Sequence, residues 1–323
     1  TDAPTTPAPV TTVTVPADCD RPTGLFPAFA MPEVEAGSCQ NWVDASLGRA
    51  VRGSTGSASV WSRRTGHGNA LIVGAVHTLG QGWFGSEGTD VTEALTDPGA
   101  QTGIPRLFLV LPEGTGTDPL ASPWFGLYNP AIAAERNGNL MRDVLPREDF
   151  YVAVTDVQKL DVGTLAPVPD PIIHDLVPLY DPAGSTLSDS TYAAAEAGSL
   201  VLMLGYPNAT GELTAAVGRT LTDEEAVAAI ARLDELGDPE GALPYEASVE
   251  LIIEGAAAAG MSGGPVVDRD GRLIGILVRA SDEHDGVQYV RAVRMTHVVA
   301  RIDAVFDTLP DVEQAALEGY LER

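Results

Sequence analysis

The sequence predicts a mostly β protein, built as a sandwich or barrel of short strands. Short apolar runs recur along most of the chain, and Gly, Pro and Asp separate them, which is typical of strands joined by turns. Clear helical periodicity is confined to two regions, near residue 230 and at the C-terminal end. No apolar run approaches the roughly 18 residues of a membrane-spanning helix, so we expect no integral membrane segment in this chain.

Nine segments read as strands from their apolar runs and the turn residues at their ends. The last of them alternates apolar and polar residues, as a strand with one solvated face does. The predicted strands lie at 58–61, 69–76, 106–112, 150–154, 200–206, 248–255, 264–267, 273–278 and 287–293.

A helix is predicted between Thr222 and Gly237. Thr222 and Glu225 have the spacing of a capping box, in which each side chain bonds the backbone N–H of the other residue. Gly237 suits the left-handed position that ends a helix. The apolar positions expected on one face are Val227, Ile230 and Leu233.

A second helix is predicted at 297–308, where apolar residues recur at helical spacing until Pro310 ends the pattern. Asp311 is a suitable cap for one more short helix, which would run through Leu321. The apolar positions are Val298, Ile302, Val305 and Leu309.

The N-terminal segment, residues 1–45, differs in composition from the rest. Its first part is rich in Thr and Pro and cannot bury enough apolar surface to fold alone, so it reads as a stalk or linker. Cys19 and Cys39 are the only cysteines, and we expect them to form a disulfide, which implies an oxidising compartment. The protein is therefore expected to be secreted, periplasmic or at the cell surface, after removal of a leader.

The charge of the chain limits its partners. Acidic residues number 45 against 19 basic ones, for a net charge of −26. Such a polyanion repels phosphate backbones, so nucleic acid is not expected as a partner. An anionic membrane surface is disfavoured for the same reason.

The segment GMSGGPVV places Ser262 among glycines immediately before a strand. Glycines allow a strained corner, and such a corner can present a hydroxyl as a nucleophile. A glycine-rich turn without chemistry is the alternative. A nucleophilic serine needs a base, and His77 suits that role because it follows a buried-looking strand and precedes a polar loop.

The base in turn needs a carboxylate to fix its tautomer. Asp149 stands just before the apolar run at 150–154 and is the preferred candidate. Three further aspartates compete for this role: Asp143, Asp156 and Asp161.

The stretch GMSGGPVVDRDGRLIGILV resembles the nucleophile segment of the trypsin/chymotrypsin-like serine proteases, and the chain order His77, Asp149, Ser262 is that of the family. The other two segments depart from its pattern. GAVH stands where the family has T-A-A-H, and Tyr151 stands where Ala is usual after the acid. The chain looks closest to bacterial members, and the resemblance covers about residues 46–308.

The resemblance implies two six-stranded antiparallel β-barrels, with a helical insertion and a C-terminal helix. Barrel one would occupy about 46–165, barrel two about 198–296 and the helix 297–308, followed by a helical tail at 309–323. His77 and Asp149 would come from the first barrel, and Ser262 from the second.

The resemblance also assigns roles around Ser262. The N–H groups of Gly260 and Ser262 would form the oxyanion hole. Ala256 would be the floor of the specificity pocket, and the residues Val278, Arg279 and Ala280 its wall. Without an acidic floor residue, we expect a small or apolar substrate side chain before the cleaved bond, with Arg279 leaving an acidic preference as the alternative.

The function expected from the resemblance is that of a serine endopeptidase acting on protein or peptide substrates. The alternative is an inactive trypsin-like binding module, which the altered segments around His77 and Asp149 keep open. An α/β-hydrolase is disfavoured because Ser262 precedes a strand rather than a helix. No cofactor or metal is expected, since the five histidines are scattered and form no H-E-x-x-H motif. The sequence does not determine the oligomeric state.

Overall fold

The structure is a computed structural model that describes most of the second half of the chain and separate parts of the first. The described residues are 19–28, 38–52, 56–63, 69–79, 107–109, 120–122, 124–127, 145–156, 159–160, 167–168, 192–308, 311 and 314. The helices are α1 (Ser38–Ser46), α2 (Asp223–Leu236) and α3 (Met295–Val305). The strands are β1 (Phe26–Pro27), β2 (Ala50–Arg52), β3 (Ser57–Arg63), β4 (Asn69–Gly74), β5 (Leu107–Leu109), β6 (Leu120–Ser122), β7 (Trp124–Leu127), β8 (Tyr151–Asp156), β9 (Lys159–Leu160), β10 (Pro167–Val168), β11 (Leu200–Gly205), β12 (Thr214–Thr220), β13 (Glu250–Glu254), β14 (Pro265–Val267), β15 (Leu273–Ala280) and β16 (Tyr289–Arg294).

The strands β11 to β16 form a closed antiparallel barrel. Their order is β12-β11-β14-β15-β16-β13, and β13 pairs back to β12 through Arg219 opposite Glu254. Because the barrel is closed, each of these six strands pairs with a neighbour on both sides. The short strand β1 also pairs with β12. The predicted C-terminal barrel is therefore present.

Alternate residues of the barrel strands are buried in two different clusters, as the two-residue period of a strand requires. On β11, Val201 and Met203 belong to one cluster, which also contains Met261. Leu202 and Leu204 belong to the other, together with apolar residues of β3, β4 and α3. This second cluster joins the barrel to the N-terminal sheet.

The N-terminal half contributes two further antiparallel sheets. One has the order β2-β3-β4-β8-β7, and the other has the order β10-β9-β6-β5. The described strands do not close these sheets into one barrel, so the six-stranded first barrel and its boundaries stay predictions. In the larger sheet, Gly74 at the end of β4 lies opposite Tyr151 at the start of β8.

The N-terminal segment is fastened to the barrel. The predicted disulfide between Cys19 and Cys39 is present. The indole Nε1 of Trp42 donates a hydrogen bond to the carbonyl of Asp268, and the guanidinium of Arg269 lies 4.0 Å from the centre of the Trp42 ring. The Thr/Pro-rich stretch before Cys19 lies outside the described residues.

Helix α2 confirms the predicted caps. Thr222 and Glu225 make the reciprocal bonds of a capping box, and Gly237 has the left-handed conformation at φ 73°. The predicted face was wrong at Val227, whose side chain is 58% exposed. The buried face is instead formed by Ala226, Ala229, Ile230 and Leu233, because these positions follow the helical period toward Ile252 on β13.

Helix α3 begins at Met295 and continues as a 3₁₀ turn through Thr308, close to the predicted bounds. Val298 and Ile302 are buried as predicted. The predicted tail helix lies almost entirely outside the described residues. Within the described part of the chain, none of the helices has the length and apolar character needed to cross a bilayer.

All nine predicted strands overlap observed ones, and β12 is a barrel strand that the prediction omitted. Its sequence TAAVGRT contains small residues and an internal glycine, which carry little strand propensity. Gly218 is required by packing, since a Cβ there would lie 2.4 Å from a methyl group of Ile253. Neighbouring strands therefore determine this element more than its own sequence does.

Candidate active site

The Ser262 corner contains two glycines in the left-handed region, Gly260 at φ 100° and Gly263 at φ 85°. A Cβ on Gly260 would lie 2.5 Å from the carbonyl oxygen of Tyr206, and one on Gly263 would lie 2.0 Å from that of Ser57. Both positions therefore require glycine for conformation and for space. Ser262 is the partly exposed residue of an otherwise buried corner.

The corner is tied to the N-terminal sheet by β3. The backbone N–H of Ser57 donates to the carbonyl of Ser262 at 2.9 Å, and the Ser57 hydroxyl donates to that of Gly260 at 2.8 Å. The hydroxyl of Ser59 donates to the carbonyl of Gly263, also at 2.8 Å. These buried bonds hold the corner against the sheet from which His77 projects.

His77 and Asp149 meet because of the antiparallel pairing of β4 with β8. His77 lies in the 3₁₀ turn that follows β4, and Asp149 ends the 3₁₀ turn that precedes β8. The Nδ1 atom of His77 lies 2.6 Å from Oδ2 of Asp149, and the backbone N–H of His77 donates to Oδ1 at 3.0 Å. The Asp149 side chain is fully buried, so its only solvation comes from such bonds.

This contact defines the tautomer of His77. An ionised carboxylate can only accept hydrogen bonds, so Nδ1 carries the hydrogen and Nε2 is left as an acceptor. The Ser262 corner lies close to this segment, since a Cβ on Gly263 would lie 3.1 Å from the backbone nitrogen of Ala75. The serine corner and the histidine turn are thus packed against each other across the two sheets.

The pKa of His77 is raised above its ordinary value of 6.5 by competing effects. Burial opposes the charged ring and is the largest single influence, but the charge and hydrogen bond of Asp149 together outweigh it. The charge of Arg279 lowers this pKa and the charge of Glu240 raises it.

The competing aspartates do not take part in this contact within the described structure. Asp156 ends β8, at the far end of the strand from Asp149, opposite Asn69. Asp143 and Asp161 lie outside the described residues. Among the other described histidines, His284 pairs with Asp238, and Nε2 of His297 lies 3.2 Å from the carbonyl of Arg147.

The two unusual residues near this pair face each other. Tyr151 stands opposite Gly74, and a Cβ on Gly74 would lie 2.6 Å from the Tyr151 hydroxyl oxygen. The glycine in GAVH therefore makes room for the tyrosine after the acid. Gly74 and Tyr151 are thus complementary in packing, and the His77–Asp149 contact is present beside them.

The backbone N–H groups at the corner divide into two sets. Those of Met261, Gly263 and Gly264 donate to the carbonyls of Ala258, Leu277 and Met261 respectively. Within the described part of the chain, the N–H groups of Gly260 and Ser262 donate no hydrogen bond. Two unpaired donors that flank the serine are able to bind an anionic oxygen.

A cavity of about 280 Å³ opens beside Ser262. The side chain of Val278 is buried in the apolar cluster between barrel and sheet, and its carbonyl lies 3.5 Å from Ser262 Oγ. Ala256 directly precedes the lining residue Ala257 in the sequence, but it is not itself among the described residues that line the cavity. Among the described residues, its walls are formed by Ala257, Ala258, Ala259, Met261, Ser262, Leu277, Arg279, Ala280, Ser281, Asp282, Gln288 and Val290.

A comparison with known families finds a match to the C-terminal part of this arrangement. Residues 134–276 match the model of the trypsin-like peptidase domain, a segment that includes Asp149 and Ser262 and begins after His77. This segment of the chain is similar to the trypsin-like peptidase domain. The resemblance to the trypsin-like serine proteases is thereby confirmed, and no curated protein matches the chain in sequence.

The solved structures similar to this chain include bacterial proteases of low sequence identity. The active form of the Rv3671c protease from M. tuberculosis is 15% identical with a TM-score of 0.41, over 81% of this chain and 82% of that one. The MamO protease domain from Magnetospirillum magneticum is 11% identical with a TM-score of 0.40, over 83% and 98%. The serine endoprotease from Yersinia pestis is 13% identical with a TM-score of 0.42, over 84% and 68%. The residue roles proposed below therefore rest on the geometry of this chain.

Sequence reasoning missed two groups of residues that support the candidate site. Ser57 and Ser59 alternate on β3 and are both buried, so a polar residue at every second position of a strand was the available signal. Asp238 and Glu240 follow α2 and are also buried, but nothing in the local sequence marks their partners.

Proposed function

We propose that the protein is a serine endopeptidase in which Ser262 is the nucleophile, His77 the general base and Asp149 the residue that orients the base. The observation that carries this proposal is the contact between Nδ1 of His77 and the buried Asp149 carboxylate at 2.6 Å. That contact leaves Nε2 as a proton acceptor on a turn packed against the serine corner.

The proposed reaction begins when Ser262 Oγ attacks the carbonyl carbon of a substrate peptide while Nε2 of His77 takes the hydroxyl proton. Collapse of the tetrahedral intermediate breaks the C–N bond, and His77 gives that proton to the leaving amine. The acyl group stays on Ser262 until water, deprotonated in turn by His77, hydrolyses the ester. Asp149 stabilises the imidazolium formed in both halves of the reaction.

The proposed oxyanion hole consists of the N–H groups of Gly260 and Ser262. Support comes from the lack of hydrogen-bond partners for these two donors in the described chain, while their neighbours are paired. A preorganised donor of this kind typically contributes on the order of a hundredfold or more to the rate.

We place the protein outside the cytoplasm, secreted, periplasmic or at the cell surface. The disulfide between Cys19 and Cys39 supports this, because such bonds persist in oxidising compartments.

The test is labelling with a fluorophosphonate probe, which reacts with activated serines. We expect the unmodified protein to be labelled, and Ser262→Ala and His77→Ala each to lose labelling. Ser199→Ala is the matched control, since its hydroxyl bonds the Glu196 carbonyl on the barrel surface. Absence of labelling in the folded, unmodified protein would instead favour the inactive binding module.

A further inference from the structure

We infer that the cavity beside Ser262 binds the carboxylate of an acidic substrate side chain, on the residue before the cleaved bond. Arg279 would be the residue that binds the carboxylate, and Glu240 would be a positioning residue that orients Arg279. The inference rests on the proposed function, since it concerns the substrate of the same site. It favours the acidic alternative over the small or apolar side chain expected from the sequence.

Arg279 lies in the wall of the cavity that also contains Ser262. It follows an irregularity in β15 after Leu277 and stands opposite Arg291 on β16. Its side chain is 23% exposed, so the guanidinium is neither sealed in the core nor free in solvent. A partly desolvated charge binds an opposite charge more strongly than an exposed one does.

The guanidinium of Arg279 is held by one edge. Its Nε atom donates to Oε1 of Glu240 at 2.7 Å. Within the described part of the chain, its two terminal nitrogens donate no hydrogen bond. A guanidinium fixed in this way presents the remaining donors in a planar fork that matches a carboxylate.

Glu240 is itself fixed by a second arginine. Its Oε2 atom lies 3.3 Å from Nε of Arg291, which is 1% exposed. Arg291 also binds the Glu250 carboxylate at 2.9 Å and the Glu240 carbonyl at 2.7 Å. Glu240 thus contacts Arg279 through Oε1 and Arg291 through Oε2, and these two contacts fix the carboxylate that holds Nε of Arg279.

Gln288 and Ser281, two other polar residues of the cavity wall, already have hydrogen-bond partners. Gln288 donates to the Ser281 carbonyl and accepts from the N–H of Ala257. The Ser281 hydroxyl donates to the Asp282 carbonyl and accepts from the N–H of Tyr289.

The remaining walls of the cavity are largely small and apolar, formed in part by Ala257, Ala258 and Ala259. Arg279 is therefore the cation available to a substrate side chain among the residues that line the cavity. Asp282 also lines the cavity, and its negative charge would repel a substrate carboxylate. Its side chain is exposed, so solvent and salt weaken this repulsion.

The inference assigns a role to the segment formed by α2 and the following turn, residues 222–246, for which the sequence suggested none. This segment contributes Glu240 to the support of Arg279. It also contributes Asp238, whose carboxylate accepts the backbone N–H of Asp282 in the cavity wall. The segment is thus a support for substrate selection rather than a separate module.

The experiment compares two peptides that differ only by Glu or Gln before the cleaved bond, at fixed pH and about 0.15 M salt. The side chains have nearly the same shape, so the ratio of their kcat/KM values isolates the charge. We expect the unmodified protein to prefer the Glu peptide by about tenfold or more. We expect the ratio to fall to about one in Arg279→Gln.

Glu240→Gln tests the positioning role. We expect it to raise KM several-fold more for the Glu peptide than for the Gln peptide, a charge-selective change that general loosening of the fold would not give. Arg232→Gln is the matched control, because Arg232 is exposed on α2 and, within the described part of the chain, its side chain pairs only with Glu235. We expect its ratio to equal that of the unmodified protein.

The outcomes separate this inference from the proposed function. Equal hydrolysis of the two peptides by a protein that the fluorophosphonate labels would overturn the inference and leave the peptidase intact. Neither labelling nor hydrolysis in folded protein would overturn both. The ratio of the kcat/KM values for the two peptides, measured with the unmodified protein, tests the acidic preference even if a variant fails to fold.

Discussion

The molecule contains two histidine–aspartate pairs of similar geometry in different surroundings. His77 approaches Asp149 at 2.6 Å, and His284 approaches Asp238 at 2.9 Å. Both carboxylates are almost completely buried, and both imidazoles are about a quarter exposed. The pairs differ in which ring nitrogen meets the carboxylate and in what lies beyond the ring.

His77 binds Asp149 through Nδ1, which leaves Nε2 free to accept a proton from a neighbour. His284 binds Asp238 through Nε2 and lies in the hairpin that connects β15 to β16. The same Asp238 carboxylate also accepts the N–H groups of Glu240 and Asp282. We infer that the second pair clamps two loops together, while the first can perform acid–base chemistry. A histidine–aspartate contact alone does not identify a catalytic pair.

Replacing each aspartate by asparagine should separate the two pairs most strongly. Asp149→Asn can stabilise the wrong tautomer of His77, so we expect kcat to fall by about 10⁴-fold. Asp238→Asn keeps the shape of the clamp, and we expect kcat to change less than about tenfold. Steady-state peptide hydrolysis measures both. A loss of similar size in the two variants would contradict the distinction.

The pH dependence of the reaction should report the raised pKa of His77. The base must be neutral, so kcat/KM for an uncharged peptide should rise with pH and reach half its maximum above 6.5. Arg279 lowers this pKa and Glu240 raises it. We therefore expect Arg279→Gln to shift the midpoint upward and Glu240→Gln to shift it downward. Shifts of the same sign in both variants would contradict this account.

The raised pKa of His77 also makes the stability of the fold depend on pH. Because the folded-state pKa of His77 is raised, the charged pair stabilises the fold fully below about pH 6.5, and this contribution is lost as the pH rises through the raised value. The neutral form of His77, which the proposed reaction requires, is thus the form that Asp149 stabilises less.

The sequence predicts those features of the fold and of the candidate site that depend on a few neighbouring residues. The glycines around Ser262 could be read directly, since left-handed backbone and close packing at Gly260 and Gly263 leave no other residue possible. The caps of α2 were equally local. The sequence favours Asp149 over its competitors because it stands just before an apolar strand, and the pairing of β4 with β8 brings it to the turn that contains His77.

Other features depend on contacts between distant segments and could not be read in this way. The sequence contains both Gly74 and Tyr151, but only the pairing of β4 with β8 shows that one compensates for the other. Asp238 and Glu240 follow a helix cap and look like solvated turn residues. Their burial arises because Asp282, His284, Arg279 and Arg291 meet them from β15, β16 and the connecting hairpin.

The smallest effect on stability is expected for the pair formed by His284 and Asp238. Burial opposes the ionised form of Asp238, but the N–H of Glu240, His284 and the N–H of Asp282 together lower its pKa below the ordinary 3.8. Its contribution to stability is therefore present above about pH 3.8 and is lost as the pH falls through the lowered folded-state value. His284→Gln removes one of these partners on a partly exposed side chain.

We expect His284→Gln to lower the free energy of unfolding by about 0.5–1 kcal/mol at pH 7, measured by urea denaturation. Arg232→Gln, on the exposed face of α2, is the control and should change it less. Peptide hydrolysis should stay within about threefold of the unmodified protein, since the clamp holds loops and transfers no proton. A fall in kcat comparable to that of Asp149→Asn would mean that His284 contributes to the reaction, and the two pairs would then have to be treated as one coupled system.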